Sequence, residues 1–334
     1  MSTPKLETKK IIVILGQTAT GKSDFAVQIA REIGGEVISA DSRQVYIGLD
    51  IGTGKITKRE MKKVPHHLLD VANPKSIFTV AKYQKLAEKK IKEITKRGHV
   101  PIICGGTGFY IDAVVHGIAL PEVPPNKKLR KELYSKSAIA LFEYLKKLDH
   151  ARAKTIDKAN PVRLIRAIEI AKVLGSVPTF EKNLKNNDAT FSAMAENVAS
   201  KQKYNTLKIG LTLPDEVLKK NIHTRLLTRI KKGMLKEIKN LHSPKHCLGL
   251  SWKRMEALGL EYRYGALYLQ GKFEDQKAPS SPSGQFLEKL ETEIWHYAKR
   301  QKTWFKRDSS TLWIDPREIH EKAKVFKKVR DFLK

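Results

Sequence analysis

The amino-acid sequence predicts an α/β protein built on a parallel β-sheet with helices on both faces. Strand-like apolar runs at residues 11–15, 36–40 and 100–104 alternate with helical patterns through the first 120 residues. Such alternation favours a parallel sheet covered by its connecting helices. Ligands of these sheets bind beyond the carboxyl ends of the strands, so the residues that follow each run are the candidates for function.

The first run leads into a phosphate-binding loop of the pattern Gly-x-x-x-x-Gly-Lys-Ser, and apolar residues at helical spacing follow it. Backbone N–H groups of such a loop face a diphosphate, Lys22 adds a point charge, and the Ser23 hydroxyl can ligate Mg²⁺. The predicted fold is therefore P-loop NTPase-like. The motif leaves open whether the phosphate is transferred, hydrolysed or expelled. The predicted diphosphate-binding residues of the loop are Gly16, Gln17, Thr18, Ala19, Thr20, Gly21, Lys22 and Ser23.

The second run ends at Ala40, and Asp41 follows it into the same mouth as the phosphate loop. Three roles fit an aspartate at this place. It can cap a turn or helix, hold Mg²⁺ as a Walker-B aspartate does, or accept a proton from a substrate beside the diphosphate. The spacing alone does not decide among them.

The third run is followed by Gly105, Gly106, Thr107 and Gly108. Glycines at this place let a ligand approach the backbone closely, and the Thr107 hydroxyl can donate to a phosphate or bridging oxygen. A plain tight turn explains the same residues.

The composition changes at Leu120, where a Pro-rich segment begins and the residues beyond it show helical patterns without a strand-like run. We therefore predict that residues 121–185 form a helical insertion domain. The catalytic core would comprise residues 1–120 and 186–334, because a strand-like run at 207–213 returns the chain to the sheet.

The C-terminal region is predicted to be mainly helical, with patterns at residues 215–241, 253–270 and 283–307. Arg225 and Arg229 lie four residues apart on the first of these and share one face. Such a pair suits a diphosphate or a nucleic-acid phosphate, and it equally suits a solvated basic surface.

Residues 298–305 combine cations, an amide and two aromatic rings on the last long helix. Such a set can contact a nucleic-acid backbone and stack on bases. Alternatively, Trp304 and Phe305 fill the core side of an amphipathic helix.

The chain has 334 residues and carries 64 Lys and Arg against 35 Asp and Glu, a net charge of +29. That charge favours a polyanionic partner, although a generally Lys-rich proteome would also explain it. No run approaches the roughly 20 apolar residues of a membrane span, and no apolar signal core precedes the first strand. We therefore expect a cytoplasmic protein with no membrane partner, and we expect a monomer. The two cysteines fit a reducing compartment, and the adjacent His66 and His67 are predicted to pack in the fold rather than bind a metal.

The chain resembles the bacterial tRNA dimethylallyltransferases, the enzymes that prenylate adenosine 37 beside the anticodon. The matching segments occur in the family's order along most of the chain. The segment around Asp41 and the Lys-Arg-Gln-x-Thr-Trp segment are more specific to the family than the phosphate loop. The matching segments are residues 16–23, 39–46, 50–53, 66–70, 105–110, 163–169 and 298–305.

This resemblance implies that dimethylallyl diphosphate is the donor and that a tRNA anticodon stem-loop is the acceptor. Asp41 would accept the proton of the adenine amine, and Thr107 would hydrogen-bond the bridging oxygen of the donor. Lys22 and Mg²⁺ would stabilise the leaving diphosphate. The stacked adenine would have to be extruded from its loop.

The family's spacing before Gly233 implies that Arg225 pairs with the diphosphate, and Arg229 remains its competitor. Leu260 stands where the family usually has Tyr, and Lys302 stands where an apolar residue is usual. The tRNA-binding residues that the resemblance implies are Asp41, Ser42, Arg43, Gln44, Thr107, Arg130, Val162, Arg163, Leu164, Ile165, Arg166, Lys299, Arg300 and Gln301.

Three other classes of function share parts of this pattern. A P-loop nucleotide kinase or NTPase would explain the phosphate loop but not the net charge. A prenyltransferase of free adenine nucleotides would need no large basic surface. A non-catalytic RNA-binding module would leave Lys22, Ser23 and Asp41 unexplained.

Overall fold

The computed structural model describes residues 9–118, 120–178, 203–273 and 284–334. The strands in these residues are β1 Lys10–Gly16, β2 Gly35–Ser39, β3 His66–His67, β4 Val100–Gly105, β5 Asn205–Leu211 and β6 Leu312–Ile314. They form one sheet in the order β3-β2-β4-β1-β5-β6, and every neighbouring pair is parallel. The parallel sheet predicted from the sequence is therefore confirmed.

Helices connect the strands and continue beyond them. In the described residues they are α1 Lys22–Ile33, α2 Val80–Lys96, α3 Gly108–Val115, α4 Lys127–Leu133, α5 Ala138–Leu148, α6 His150–Ala153, α7 Pro161–Leu174, α8 Asp215–Lys231, α9 Met234–His242, α10 Trp252–Glu256, α11 Leu260–Leu269, α12 Gly284–Phe305 and α13 Ile319–Leu333. Side chains of α8 to α12 share a hydrophobic core, so the predicted helical C-terminal region is confirmed.

Strand β1 fills two cores because its side chains alternate between the two faces of the sheet. Ile11 and Val13 pack with α2 and α3 on one face, and Ile12 and Ile14 pack with α1 and α13 on the other. All four side chains are fully buried. Helices cover both faces as predicted, which leaves the carboxyl edge of the sheet for ligands.

Two predicted helices are each divided in the structure. The pattern at 215–241 breaks at Gly233, where φ is +97°, and the pattern at 253–270 breaks at Gly259, where φ is +140°. Apolar spacing continues across both breaks, so periodicity alone did not reveal them. The strand His66–His67 was missed because two residues are too few to show alternation.

The chain divides into two compact units, one of Met1–Gly117 with Val198–Lys334 and the other of Ile118–Asn197. The described part of the second unit is helical, and side chains of α4, α5 and α7 form its own core. The predicted limits of the insertion domain, 121–185, remain a prediction. The predicted connection at 181–204 lies outside the described residues apart from its last two. No helix among the described residues has the length and apolar character that a membrane crossing requires.

Candidate active site

A cavity of about 770 Å³ opens at the carboxyl edge of the sheet. Its walls come from the phosphate loop after β1, the turn after β2, the loop after β4, and helices α8 and α12. Lys22, Asp41, Gly106, Arg225 and Arg300 all line it. The structure therefore brings the candidate diphosphate ligands and the candidate base into one space.

The phosphate loop is held in shape by its own side chains and by positive backbone dihedral angles. Thr20 Oγ1 donates to the Gln17 carbonyl oxygen at 2.8 Å, and Lys22 Nζ donates to the same oxygen. Ala19 and Gly21 have φ values of +64° and +84°, so the backbone turns sharply before α1 begins. Backbone N–H groups in such a loop at a helix N-terminus form a concave anion site.

Gln301 joins the phosphate loop to the glycine loop after β4. Its Oε1 accepts a hydrogen bond from the Thr18 N–H at 2.7 Å, and its Nε2 donates to the Gly106 carbonyl oxygen at 2.8 Å. A Cβ added at Gly106 would lie 2.3 Å from this Nε2, so the contact requires glycine there. Gln301 was predicted to bind tRNA, but the structure buries its amide inside the protein, where it positions both loops.

Asp41 begins a turn at the mouth of the cavity. Its Oδ1 accepts hydrogen bonds from the N–H groups of Arg43 at 2.8 Å and Gln44 at 3.3 Å. Asp41 therefore caps a turn and lines the cavity at the same time. Thr107 supports this turn, since its Oγ1 accepts from the Ser42 N–H at 3.0 Å. Within the described residues, Thr107 is not part of the cavity lining itself.

Lys22 and Arg225 bring positive charge to the cavity, and neither forms an ion pair with a carboxylate among the described residues. Burial lowers the pKa of Lys22 to about 8, and the Arg225 guanidinium acts in the same direction. Arg225 keeps exposed surface, but the protein around its guanidinium hinders hydration and, together with Arg229, lowers its pKa to about 10. A bound anion would relieve both effects, which is the physical reason to expect a phosphate here.

Arg229, unlike Arg225, has partners within the protein. Its Nη1 donates to Glu261 Oε1 at 2.6 Å and to the Gly52 carbonyl oxygen at 3.2 Å. A Cβ at Gly54, where φ is +59°, would lie 2.1 Å from Arg229 Nη2, so the backbone wraps closely around the guanidinium. Arg229 is therefore a structural part of the cavity wall, and Arg225 is the arginine available to an anion.

Glu237 holds the loop of residues 50–54, which Arg229 also contacts. The sequence did not predict this role of Glu237. Its carboxylate accepts from the N–H groups of Asp50, Ile51 and Gly52 at 2.8 to 3.1 Å. The Tyr262 hydroxyl also donates to it, at 2.6 Å. The residues next to a glutamate in a helical pattern do not indicate hydrogen-bond partners that lie so far away along the chain.

Helix α12 turns one face towards the cavity. Ile294, Tyr297 and Gln301 lie three and four residues apart, which places them on one side of the helix, and all three line the cavity together with Arg300. Tyr297 was missed, although its helical spacing from the predicted Gln301 was a signal that could have found it.

The aromatic end of α12 belongs to the core. Trp304 Nε1 donates to Asp112 Oδ2 at 2.9 Å, and Phe305 is buried. Lys299 remains exposed, whereas Lys302 pairs with Asp215 at 3.2 Å. The core alternative for the two rings is therefore correct.

The predicted tRNA-binding residues at the start of α7 point in different directions. Val162 and Arg163 are exposed. Leu164 and Ile165 are buried in the core of the second unit, so their side chains are not available to a nucleic acid.

Arg130 and Arg166 converge on the buried carboxylate of Glu169. Arg130 forms two hydrogen bonds of 2.8 Å with it, and Arg166 Nη1 lies 3.2 Å from its Oε2. Both arginines also keep exposed surface, so an internal partner does not prevent an external phosphate contact.

Within the described residues, no group of three or more His, Cys, Asp or Glu side chains is arranged to hold a metal ion. Ser23, the predicted Mg²⁺ ligand, is exposed and lines the cavity. His66 Nδ1 lies 2.9 Å from the Val64 carbonyl oxygen, and His67 Nε2 lies 2.6 Å from Glu36 Oε2. Both histidines therefore have partners within the fold.

The sequence model of the IPP transferase family matches residues 44–308, well over half of the chain. The chain belongs to the IPP transferase family. Its similarity to tRNA dimethylallyltransferase 2 of Treponema denticola is 40% identity over 296 residues, which cover 89% of this chain and 91% of that protein. The tRNA dimethylallyltransferase of Anoxybacillus flavithermus is 36% identical, over 92% of this chain and 90% of that one.

Solved structures of IPP transferases share the fold. The full-length tRNA isopentenylpyrophosphate transferase of Bacillus halodurans matches with a TM-score of 0.66 and 32% identity over 97% of each chain. A eukaryotic dimethylallyltransferase crystallised acting on tRNA matches with a TM-score of 0.75 over 98% of this chain and 80% of that one. At 23% identity that second likeness shows the fold alone. The resemblance drawn from the motifs is confirmed at the level of the family.

The lowered pKa of Lys22 predicts a pH-dependent affinity for diphosphate. Lys22 is mostly charged below pH 8 and loses its proton as the pH rises through that value, so binding of an anion should weaken above about pH 8. Calorimetric titration with inorganic diphosphate from about pH 6.5 to about pH 9.5 would measure this. Lys22→Met is the control, because its remaining pH dependence reports the ionisation of the ligand. Identical profiles for the two proteins would contradict the prediction.

Proposed function

We propose that this IPP transferase moves a dimethylallyl group from dimethylallyl diphosphate to N6 of adenosine 37 in tRNA and releases diphosphate. The relatives described above are tRNA dimethylallyltransferases. The observation that carries the proposal is the single cavity lined by both the phosphate loop and Asp41. A donor diphosphate on the loop and an acceptor base beside Asp41 would share that space.

The reaction replaces the C1–O bond of the donor with a C1–N6 bond and moves the N6 proton to a base. Adenine N6 attacks C1 of the allyl group, the C1–O bond breaks, and its electron pair leaves with the diphosphate. The N6 lone pair is delocalised into the ring, so N6 is a weak nucleophile and benefits from a base. Asp41 Oδ1 is engaged by the turn, and we therefore assign Oδ2 as the oxygen that receives the N6 proton.

The leaving diphosphate gains negative charge as the C1–O bond breaks. Lys22 and Arg225, which have no anionic partner in the described residues, would stabilise that charge. Thr107 follows the lining residue Gly106, and its oxygen accepts a hydrogen bond from Ser42, so its own hydrogen would be left to donate to an oxygen of a donor that reaches past Gly106.

The residues of the phosphate loop fit Mg²⁺. This ion binds through one or two protein ligands and completes its shell with phosphate oxygens and water. The exposed Ser23 hydroxyl at the start of α1 would be the protein ligand. When bound, Mg²⁺ would supply further positive charge to the leaving diphosphate.

The net charge of +29 supports a tRNA acceptor, since a polyanion is attracted to a strongly basic surface. Arg43 and Arg300 are exposed beside the cavity, and Lys299 is exposed next to Arg300. They would hold the anticodon loop while the extruded adenine enters. A tRNA substrate would place the reaction in the cytoplasm.

The proposed function is tested by incubating the protein with dimethylallyl diphosphate, Mg²⁺ and unmodified tRNA. Mass analysis of the nucleosides should show dimethylallylated adenosine, and fragment mapping should locate it at position 37. AMP offered as the acceptor should stay unmodified. Prenylation of AMP in preference to tRNA would favour the free-nucleotide prenyltransferase, and phosphoryl transfer from ATP without a prenyl donor would favour the kinase.

Asp41→Asn separates the base from the metal-ligand role. The amide keeps the shape and one acceptor oxygen but takes no proton at neutral pH, so turnover should fall roughly 10²- to 10⁴-fold. Affinity for tRNA and for the donor should remain. Single-turnover rates at several Mg²⁺ concentrations check this, and recovery of the rate at high Mg²⁺ would show that Asp41 acts mainly through the metal.

Arg225→Ala and Arg229→Met distinguish the two arginines. Loss of the unpaired guanidinium of Arg225 should weaken donor binding by about 10- to 100-fold, the range of a charge-assisted hydrogen bond. Arg229→Met breaks the ion pair with Glu261 and should mainly lower the unfolding temperature. Calorimetry with an unreactive donor analogue and thermal unfolding give both quantities. The reverse pattern would assign the diphosphate to Arg229.

A further inference from the structure

Tyr297 is an aromatic side chain of the cavity wall that the proposed mechanism does not use. It lies on α12 one turn before Gln301, whose amide bonds fix that helix against the phosphate loop and the glycine loop. Its side chain is 36% exposed and lines the cavity. A large ring with that exposure, on a helix anchored so firmly, is a rigid apolar surface offered to a ligand.

The surroundings of Tyr297 place it on the acceptor side of the cavity. Burial raises the pKa of the Tyr297 hydroxyl, and the charges that act on it most are those of Asp41, Arg43, Glu261 and Arg300. Asp41 and Arg43 belong to the turn that the proposed function assigns to the acceptor. Arg300, which the proposed function also assigns to the acceptor, contacts the ring directly.

Arg300 restrains the ring. Its guanidinium carbon lies over the Tyr297 ring, 6.0 Å from the centroid, at a distance where a cation and an aromatic face attract. Among the described residues, no group hydrogen-bonds the Tyr297 hydroxyl. The phenolic oxygen is therefore not what keeps the ring in place. The flat face of the ring is the feature that a ligand could contact.

We propose that Tyr297 is the stacking platform for the extruded adenine, holding the base flat against its ring so that N6 lies between Asp41 and the donor. This inference rests on the proposed function and deepens it. An adenine that leaves its stack in the anticodon loop loses contact with its neighbours, and a ring in the pocket replaces that contact. Tyr297 is thus a positioning residue, which takes no proton and breaks no bond.

The test compares two anticodon stem-loops, one with adenine at the target position and one abasic there. Their affinities for the wild-type protein and for Tyr297→Leu are measured at one salt concentration with no donor present. If the ring stacks on the base, Tyr297→Leu should weaken binding of the intact loop by about 5- to 100-fold, the range found for base–aromatic stacking. Binding of the abasic loop should change by less than about twofold, within the range of surface substitutions.

Three companion variants make the comparison specific. Tyr297→Phe keeps the ring and should bind both loops as the wild type does. Tyr297→Met gives a second ring-free side chain in case Leu disturbs the fold, and retained binding of inorganic diphosphate reports an intact cavity. His296→Leu, an exposed neighbour on the same helix, is the matched control and should leave both affinities unchanged.

Two results would overturn the stacking role. Equal weakening of the intact and abasic loops would show that Tyr297 supports the protein rather than the base. Unchanged binding of both loops would show that the ring contacts neither. Either result would leave prenyl transfer by the wild type intact, whereas failure of the wild type to prenylate tRNA would overturn the proposed function itself.

Discussion

The arrangement of the cavity depends on the two hydrogen bonds of one buried amide. Gln301 accepts from the phosphate loop at Thr18 and donates to the glycine loop at Gly106, and those loops follow the adjacent strands β1 and β4. A carboxylate of the same shape has no N–H to donate to Gly106, and a lysine has no oxygen to accept from Thr18. Only a side chain with both a donor and an acceptor fits. The side-chain amide of Gln17 adds a further hydrogen bond, which it donates to the Ala298 carbonyl oxygen on the same helix.

The positive charge in the cavity is unfavourable in the free protein and favourable for the binding of an anion. Burial disfavours the charged form of Lys22, and incomplete hydration disfavours that of Arg225, which nevertheless keeps exposed surface. Some other charged side chains of the described residues are paired, as Glu169 with two arginines and Arg229 with Glu261 show. Lys22 and Arg225 have no such ion pair, and an anionic ligand would supply one at the place where the reaction would develop negative charge.

The sequence predicted the sheet and the contents of its carboxyl edge because those signals are local. A phosphate loop, an aspartate after a strand and a glycine loop can each be recognised from a few consecutive residues. The parallel topology of the sheet then brings them together. Gly233 and Gly259 were not recognised as helix breaks, since a positive φ does not disturb the apolar spacing around it. Glu237 and the structural role of Arg229 could not be predicted for another reason. Their partners lie far away along the chain, and only the folded backbone shows which helical polar residue turns inward.

The order of the elements along the chain has a consequence for synthesis on the ribosome. The phosphate loop is made among the first elements, but β5, which lies beside β1, and Gln301, which fixes the loop, come from the last 130 residues or so. Contacts between such distant segments form late, because the intervening chain must be made and closed first. A nascent chain therefore exposes its phosphate loop long before a cavity exists around it. A chain whose translation stops upstream of α12 lacks Gln301, and with it the contact that joins the phosphate loop to the glycine loop.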